Sequence, residues 1–169
     1  MNKMGLDLSI NSTGVCFNNG DDVIYCNIVP KITRNQRRNE SDRLMMIEYN
    51  KIDGDDDHNI YEICRIVENL IEEYNINKVV MEAPAFQAHG RSTITLAGLN
   101  YSIRQMLMRV VVEYETVQPT TLKKWFTGNG MADKGMMVRC WKVLDPIANT
   151  LKAMKIDDLA DSYALWCWE

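Results

Sequence analysis

Histidine is scarce in this 169-residue chain, with only His58 and His89, and the five cysteines (Cys16, Cys26, Cys64, Cys140, Cys167) form no Cys-x-x-Cys pair. A zinc cluster is therefore not expected, whereas reduced and mostly buried thiols are. No apolar run approaches the ~20 residues needed to span a bilayer, so no membrane partner is expected. The N-terminal Met-Asn-Lys-Met-Gly-Leu-Asp enters a strand-like pattern at once and lacks a signal-peptide core, which points to the cytoplasm. Low-complexity tracts and internal repeats are missing as well. With 46% apolar and 25% charged residues, the composition is that of an ordinary globular chain. Its length suits one domain spanning residues 1–169.

An excess of positive charge is also lacking. The formal net charge of −4 argues against a nucleic-acid partner, but its distribution argues for one. Residues 31–43 carry Lys31, Arg34, Arg37, Arg38 and Arg43 against two acids, and residues 122–142 carry Lys123, Lys124, Lys134, Arg139 and Lys142 against Asp133. Such a chain could offer a basic face to phosphates while staying acidic overall. A solvated charged face reads equally well from either cluster.

The patterning predicts alternating strands and helices. Residues 3–29 read as a β-meander, with Asn18-Asn19-Gly20-Asp21 as a hairpin turn and Pro30 as its end. Residues 31–57 are polar, and Asp53-Gly54-Asp55-Asp56-Asp57 reads as a loop. A calcium loop starting at Asp53 would close on a glutamate at its twelfth position, where Cys64 stands. Helical spacing predicts a helix over 58–74, with Ile60, Ile63, Val67, Leu70, Ile71 and Tyr74 inward and Asn75 and Asn77 ending it. Lys78–Glu82 is a buried strand. A second helix is expected over 92–111, with Ile94, Ala97, Ile103, Met106, Leu107 and Val110 inward. Tyr114–Val117 is a strand stopped by Pro119. Thr120 or Thr121 caps a short helix through Trp125, Gly128–Gly130 is a loop, and helices follow over Asp133–Leu144 and Ile156–Trp168. The order β-β-β-α-β-α-β-α-α-α describes an α/β fold of ribonuclease H-like type. It predicts a mixed five-stranded sheet of three antiparallel strands, then parallel crossovers, with helices on both faces.

Four carboxylates stand out in that frame. Asp7 interrupts an apolar strand, and Glu82 ends Val79-Val80-Met81, so two strands deliver acids to one sheet edge. Asp158 and Asp161 are i and i+3 and share a helix face. Two carboxylates ~4 Å apart repel by roughly 4 kcal/mol at an effective dielectric of about 20. A cluster of four therefore calls for cations, and an all-oxygen donor set selects Mg²⁺, with Mn²⁺ as substitute. Two such ions can activate water and stabilise the leaving oxygen of a phosphodiester. Each acid alone also reads as a cap or surface group. Asp157 is a plausible N-cap, and Asp158 suits a first helical turn.

These residues resemble the RuvC family of Holliday-junction resolvases. Gly5-Leu6-Asp7 with Ser12-Thr13-Gly14 is similar to its first-strand motif, and Met81-Glu82-Ala83-Pro84-Ala85-Phe86 to its second acid and the following loop. Asp158-Leu159-Ala160-Asp161-Ser162-Tyr163-Ala164 resembles its closing Asp-x-x-Asp-Ala helix. The stretch from Leu122 to Lys134 resembles its Val-Lys…Gly-x-Gly-x-Ala-x-Lys segment. The resemblance implies a homodimer with two metal ions per site. It also implies symmetric nicking of four-way junctions and other branched DNA, leaving 5′-phosphate and 3′-hydroxyl ends. Asp7, Glu82, Asp158 and Asp161 would hold the metals, and Lys134 would stabilise the scissile phosphate. Lys123 would contact the DNA backbone, and Phe86 would stack near the junction centre. Lys124, Arg37, Arg38 and Arg91 complete the expected DNA-binding set. Phe86 lies four residues after its glutamate rather than three as in bacterial members, so a core role reads as well. The chain also lacks the Pro-Gly after the first acid, and it carries an Asp53–His58 insert. These traits resemble the virus-encoded branch, whose members would act in the host cytoplasm.

Three rivals differ in class. An actin-like phosphate binder would share Asp7 with Ser12-Thr13-Gly14, but it needs a second lobe. A ribonuclease H-like relative could act on RNA or flaps, or bind nucleic acid without catalysis. An adaptor could use Trp125, Trp141, Trp166 and Trp168 as an interface.

Overall fold

The computed structural model describes residues 2–84, 90–151 and 155–169. Three strands come first: β1 (Lys3–Asp7), β2 (Thr13–Asn19) and β3 (Asp22–Val29). They pair antiparallel, with Asp7 opposite Gly14 and Gly14 opposite Asn27. The β2–β3 turn places Gly20 at φ +63°, a left-handed conformation that glycine adopts without Cβ strain. The hairpin expected at Asn18–Asp21 is therefore present.

The polar stretch 31–57 holds more structure than its pattern suggests. Helix α1 (Arg34–Arg37) is closed by a capping box between Thr33 and Gln36. Strand β4 (Leu44–Glu48) pairs parallel to β3 at the sheet edge. The sheet is therefore six-stranded, in the order β4-β3-β2-β1-β5-β6, rather than five-stranded. Only Leu44 of β4 is fully buried, so this edge strand has neither an alternating pattern nor a long apolar run to betray it.

Helix α2 (Asp56–Glu73) leads to β5 (Lys78–Glu82), and α3 (Arg91–Arg109) leads to β6 (Glu113–Val117). Both crossovers add parallel strands, β5 beside β1 and β6 beside β5. Asn75, at φ +51°, ends α2 as expected. Helices α4 (Pro119–Thr127), α5 (Lys134–Leu144) and α6 (Ile156–Cys167) complete the chain, with a 3₁₀ turn over Pro146–Asn149. The cap of α4 is Gln118 with Pro119 in the first turn, not Thr120 or Thr121. A proline there loses nothing, because that N–H has no helical partner.

The two sheet faces bury different sets of side chains. Met4, Leu6, Val79 and Met81 face α2 and α3 through Ile63, Val67, Leu99 and Ile103. Cys16, Tyr25 and Val80 face α4, α5 and α6 through Leu122, Trp141, Leu159 and Ala164. Ile94 departs from the expected inward set and is 74% exposed. Trp141 is fully buried, its Nε1 donating 2.9 Å to the Tyr25 hydroxyl, whereas Trp125 is half-exposed against Phe126 and Trp168.

Helix α6 lies against β1 and β2 at backbone contact. A Cβ at Gly5 would collide with the Ser162 carbonyl and the Trp166 amide, and one at Gly14 with the Asp158 carbonyl. Neither backbone atom can retreat without moving the helix. Gly5→Ala or Gly14→Ala is expected to destabilise the protein by about 3 kcal/mol or more, measured by urea unfolding. A change below about 1 kcal/mol would show that the contact is not tight.

Candidate active site

Parallel pairing of β1 with β5 sets Leu6 beside Met81, so Asp7 and Glu82, the next residues, end adjacent strands at one edge of the sheet. Asp7 also sits opposite Gly14, over which the Asp158 backbone rests. Asp161, one helical turn later, shares that helix face. The structure thus gathers Asp7, Glu82, Asp158 and Asp161 from three separate stretches of chain. Asp158 sits in the first turn of α6, and Asp157 is not its N-cap, since Lys155 occupies that position.

The four carboxyls act on one another's charge. Each carboxyl keeps some surface exposure yet is heavily surrounded by protein. Burial first, then the charges of Asp161, Glu82 and Asp158, push Asp7 well above the usual carboxylate range. Burial and Asp161 raise Glu82 from 4.5 to about 7. Burial raises Asp161 from 3.8 to about 6, against the pull of Lys134 and Lys123. Asp158 is raised by burial and partly offset by the nearby Ser12 hydroxyl. Two lysines therefore flank the acids. Lys134 also acts on Asp7, and Lys123 acts on Glu82 and Asp161.

The Lys134 ammonium itself donates to Asp157, which the sequence left without a partner. Lys124 is exposed on α4, and Arg37 at the end of α1 and Arg38, its C-cap, are exposed on the segment that leaves β3 at the same sheet edge as Asp7. Arg91 opens α3 and binds Asp56 and the Gly54 carbonyl, at 3.3 and 3.2 Å. It lines a cleft of about 430 Å³ that also includes Ser9, Asn11, Lys51 and Thr95, next in the chain to the Asp7 edge. Arg43 is instead pinned to Asp22 at the opposite end of the sheet, so residues 31–43 do not form one basic face. Phe86 lies outside the described residues.

Supporting contacts were not visible in the sequence. The Asn100 amide, buried on α3, donates 2.9 Å to the Glu82 carbonyl and so ties the end of β5 to the helix behind it. Thr13 Oγ1 donates 2.7 Å to the Ser9 carbonyl and accepts 3.1 Å from the Ser9 amide, closing the loop after Asp7. Ser12 is buried, and its Oγ makes no hydrogen bond of ordinary geometry although it faces Asp158. Its place in the Ser12-Thr13-Gly14 motif was the signal in the sequence.

Clustered, desolvated carboxylates with an orphaned hydroxyl beside them suit a hard divalent cation. Among the described residues, no group of three or more acidic, histidine or cysteine side chains stands close enough together to hold a metal ion. The donor set fits such a cation nonetheless: four oxygen acids and no nitrogen or sulfur ligand beside them.

A sequence profile described as crossover junction endodeoxyribonuclease RuvC matches residues 35–166, well over half of the chain. The chain belongs to the RuvC family. Asp7 precedes the matched span. The RuvC of Helicobacter pylori (strain G27) is 26% identical over 99 residues, covering 59% of this chain and 63% of that protein. The RuvC of Orientia tsutsugamushi (strain Boryong) is 27% identical over 101 residues, covering 60% and 64%. The chain thus aligns with less than two thirds of the length of these curated relatives. The Thermus thermophilus RuvC structure superposes with a TM-score of 0.64 at 14% identity, covering 98% of this chain and 91% of that one. The yeast mitochondrial Holliday junction resolvase Ydc2 superposes with a TM-score of 0.61 at 14% identity, covering 96% and 75%. At such identities these likenesses carry the ribonuclease H-like fold alone.

The raised carboxyls have a stability consequence. Protonated acids favour the folded state, so their contribution is present below the ordinary carboxylate range and lost as pH rises through about 6 to 7. Metal-free protein is expected to lose stability over that rise, and Mg²⁺ at pH 8 is expected to restore it. Glu82→Gln should stabilise the metal-free protein at pH 8 by on the order of 2 kcal/mol and weaken the Mg²⁺ effect. Thermal melts with and without EDTA measure both, and a pH-independent melt would contradict the cluster.

Proposed function

We propose that this RuvC-family chain is a metal-dependent endonuclease that resolves four-way DNA junctions by paired nicking. The reading is supported by Asp7 and Glu82 ending adjacent strands beside the α6 face that carries Asp158 and Asp161, with Lys123 and Lys134 acting on their charge. Membership of a family described as crossover junction endodeoxyribonuclease supports the reaction. One solved neighbour, T. thermophilus RuvC, is in complex with a Holliday junction substrate, which supports the choice of DNA.

The four carboxylates would hold two Mg²⁺ ions, with Mn²⁺ as substitute; when bound, these lower the pKa of a water and neutralise the leaving oxygen. The protein's own groups do the rest. Desolvation keeps the carboxylates from satisfying themselves with water, so they compete strongly for the ions. Lys134, at the mouth of the cluster, would meet the charge that builds on the scissile phosphate. Lys123 and Lys124 on α4, together with Arg37, Arg38 and Arg91, would hold backbone phosphates. Phe86 would stack on a base at the junction centre. Hydrolysis would leave 5′-phosphate and 3′-hydroxyl ends.

Paired nicking requires two sites, hence a homodimer. Ile94, Tyr101 and Met108 lie seven residues apart on α3 and are 74, 46 and 67% exposed. That spacing gives one apolar stripe along the helix, which a second copy of the same helix would cover.

Cleavage of matched four-way, flap and linear duplexes in Mg²⁺ tests the chemistry. Asp7→Asn is expected to reduce cutting by at least about a thousandfold, and equal cutting by both proteins would sink the metal-site assignment. Preference for flaps over four-way junctions would keep the chemistry and remove the resolvase reading. Separately, Tyr101→Glu with Met108→Glu is expected to shift the protein to monomer in sedimentation and to uncouple the two nicks. A dimer that survives both changes would move the interface elsewhere.

A further inference from the structure

We propose that Asp157 is a positioning residue for Lys134, holding its ammonium at the mouth of the carboxylate cluster. The inference rests on the nuclease reading above.

Helix geometry separates Asp157 from the metal-site acids. Consecutive helical residues point about 100° apart, so Asp157 cannot share the face of Asp158 and Asp161. It turns toward α5 instead. The Asp133 side chain caps α5, accepting 2.7 Å from the Met136 amide, and so fixes Lys134 as the first residue of that helix. From there Lys134 Nζ reaches across to Asp157 Oδ2. The lysine side chain is 72% exposed and the aspartate 26%, so the acid is the better-anchored partner.

An exposed lysine stem otherwise samples many rotamers. The partly buried Asp157 carboxylate holds the ammonium where its charge acts on Asp7, Asp158 and Asp161. The acids of this region thus divide by environment. Asp7, Glu82, Asp158 and Asp161 are all raised. Asp157 is instead paired with the Lys134 ammonium.

A bare surface acid next to a phosphate site would behave differently. It would repel DNA, and its removal would tighten binding without changing turnover. Asp157→Asn in a tether should instead lower kcat about tenfold or more with KM little changed, and Asp157→Glu should recover part of the loss. In a Lys134→Ala background the same Asp157→Asn change should have no further effect. Mn²⁺ binding should be unaltered by Asp157→Asn but weakened by Asp158→Asn. A readout free of catalysis is the mobility of the Lys134 ε-methylene, by NMR relaxation of the protein without metal or DNA. It should be restrained in the wild type and as mobile as that of Lys124 in Asp157→Asn. Unchanged mobility, a fall in KM at constant kcat, or an undiminished loss in the Lys134→Ala background would each overturn the tether. If the wild type cuts no DNA, the nuclease reading fails, and the relaxation measurement still decides whether Asp157 holds the lysine.

Discussion

Everything at the acidic edge depends on how closely α6 approaches the sheet. Gly5 and Gly14 present no side chain, so the Ser162 carbonyl and the Asp158 carbonyl come down onto the β1 and β2 backbones. That contact sets the height and rotation of the helix together. Asp158 comes to rest over the strand that faces Asp7, and Asp161 turns toward Glu82. A methyl group at either glycine would lift the helix, and two of the four acids would leave the site with it.

The same approach creates an electrostatic problem that the fold leaves open. Four carboxyls with raised proton affinities are unfavourable together at neutral pH unless cations occupy the space between them. Structural acids are normally met by capping amides or arginines, as Glu68 is met by Arg109. Among the described residues, no capping amide or arginine pairs with Asp7 or Glu82, and Lys134 and Lys123 act on them through charge from farther away. Stability is given up there, a pattern expected of active sites. The neighbouring acid, Asp157, is met by a lysine, so two adjacent residues sit in opposite electrostatic surroundings.

Support behind the acids is asymmetric. Glu82 is steadied from the α3 side through Asn100, whereas Asp7 is steadied by its own loop through Ser9 and Thr13. The helices on the two faces thus hold different parts of one site. The α2–α3 layer fixes the strand ends, and the α4–α5–α6 layer supplies the second pair of acids and both lysines. The exposed stripe on α3 lies on the first layer, so a partner docked there would leave the acid edge open to DNA.

Local pattern was enough for much of this. Apolar strands ending on Asp7 and Glu82, the i,i+3 spacing of Asp158 and Asp161, and the helical periods of α2, α3 and α5 all follow from side-chain chemistry along a short stretch. They could be read directly, and with them the ribonuclease H-like order. Strand β4 could not, because its stability comes from pairing with β3 rather than from its own four apolar residues. The exposure of Ile94 could not either, since periodicity gives a helix face but not which neighbour covers it. The partner of Asp157 was equally hidden: it lies 23 residues away, and only the packing of α5 on α6 brings the lysine to it. The sequence by itself determined which groups carry charge and where along each strand or helix they sit. Tertiary structure alone decided which of them meet, because that depends on how near two backbones can come, and here two missing side chains on the sheet set the distance.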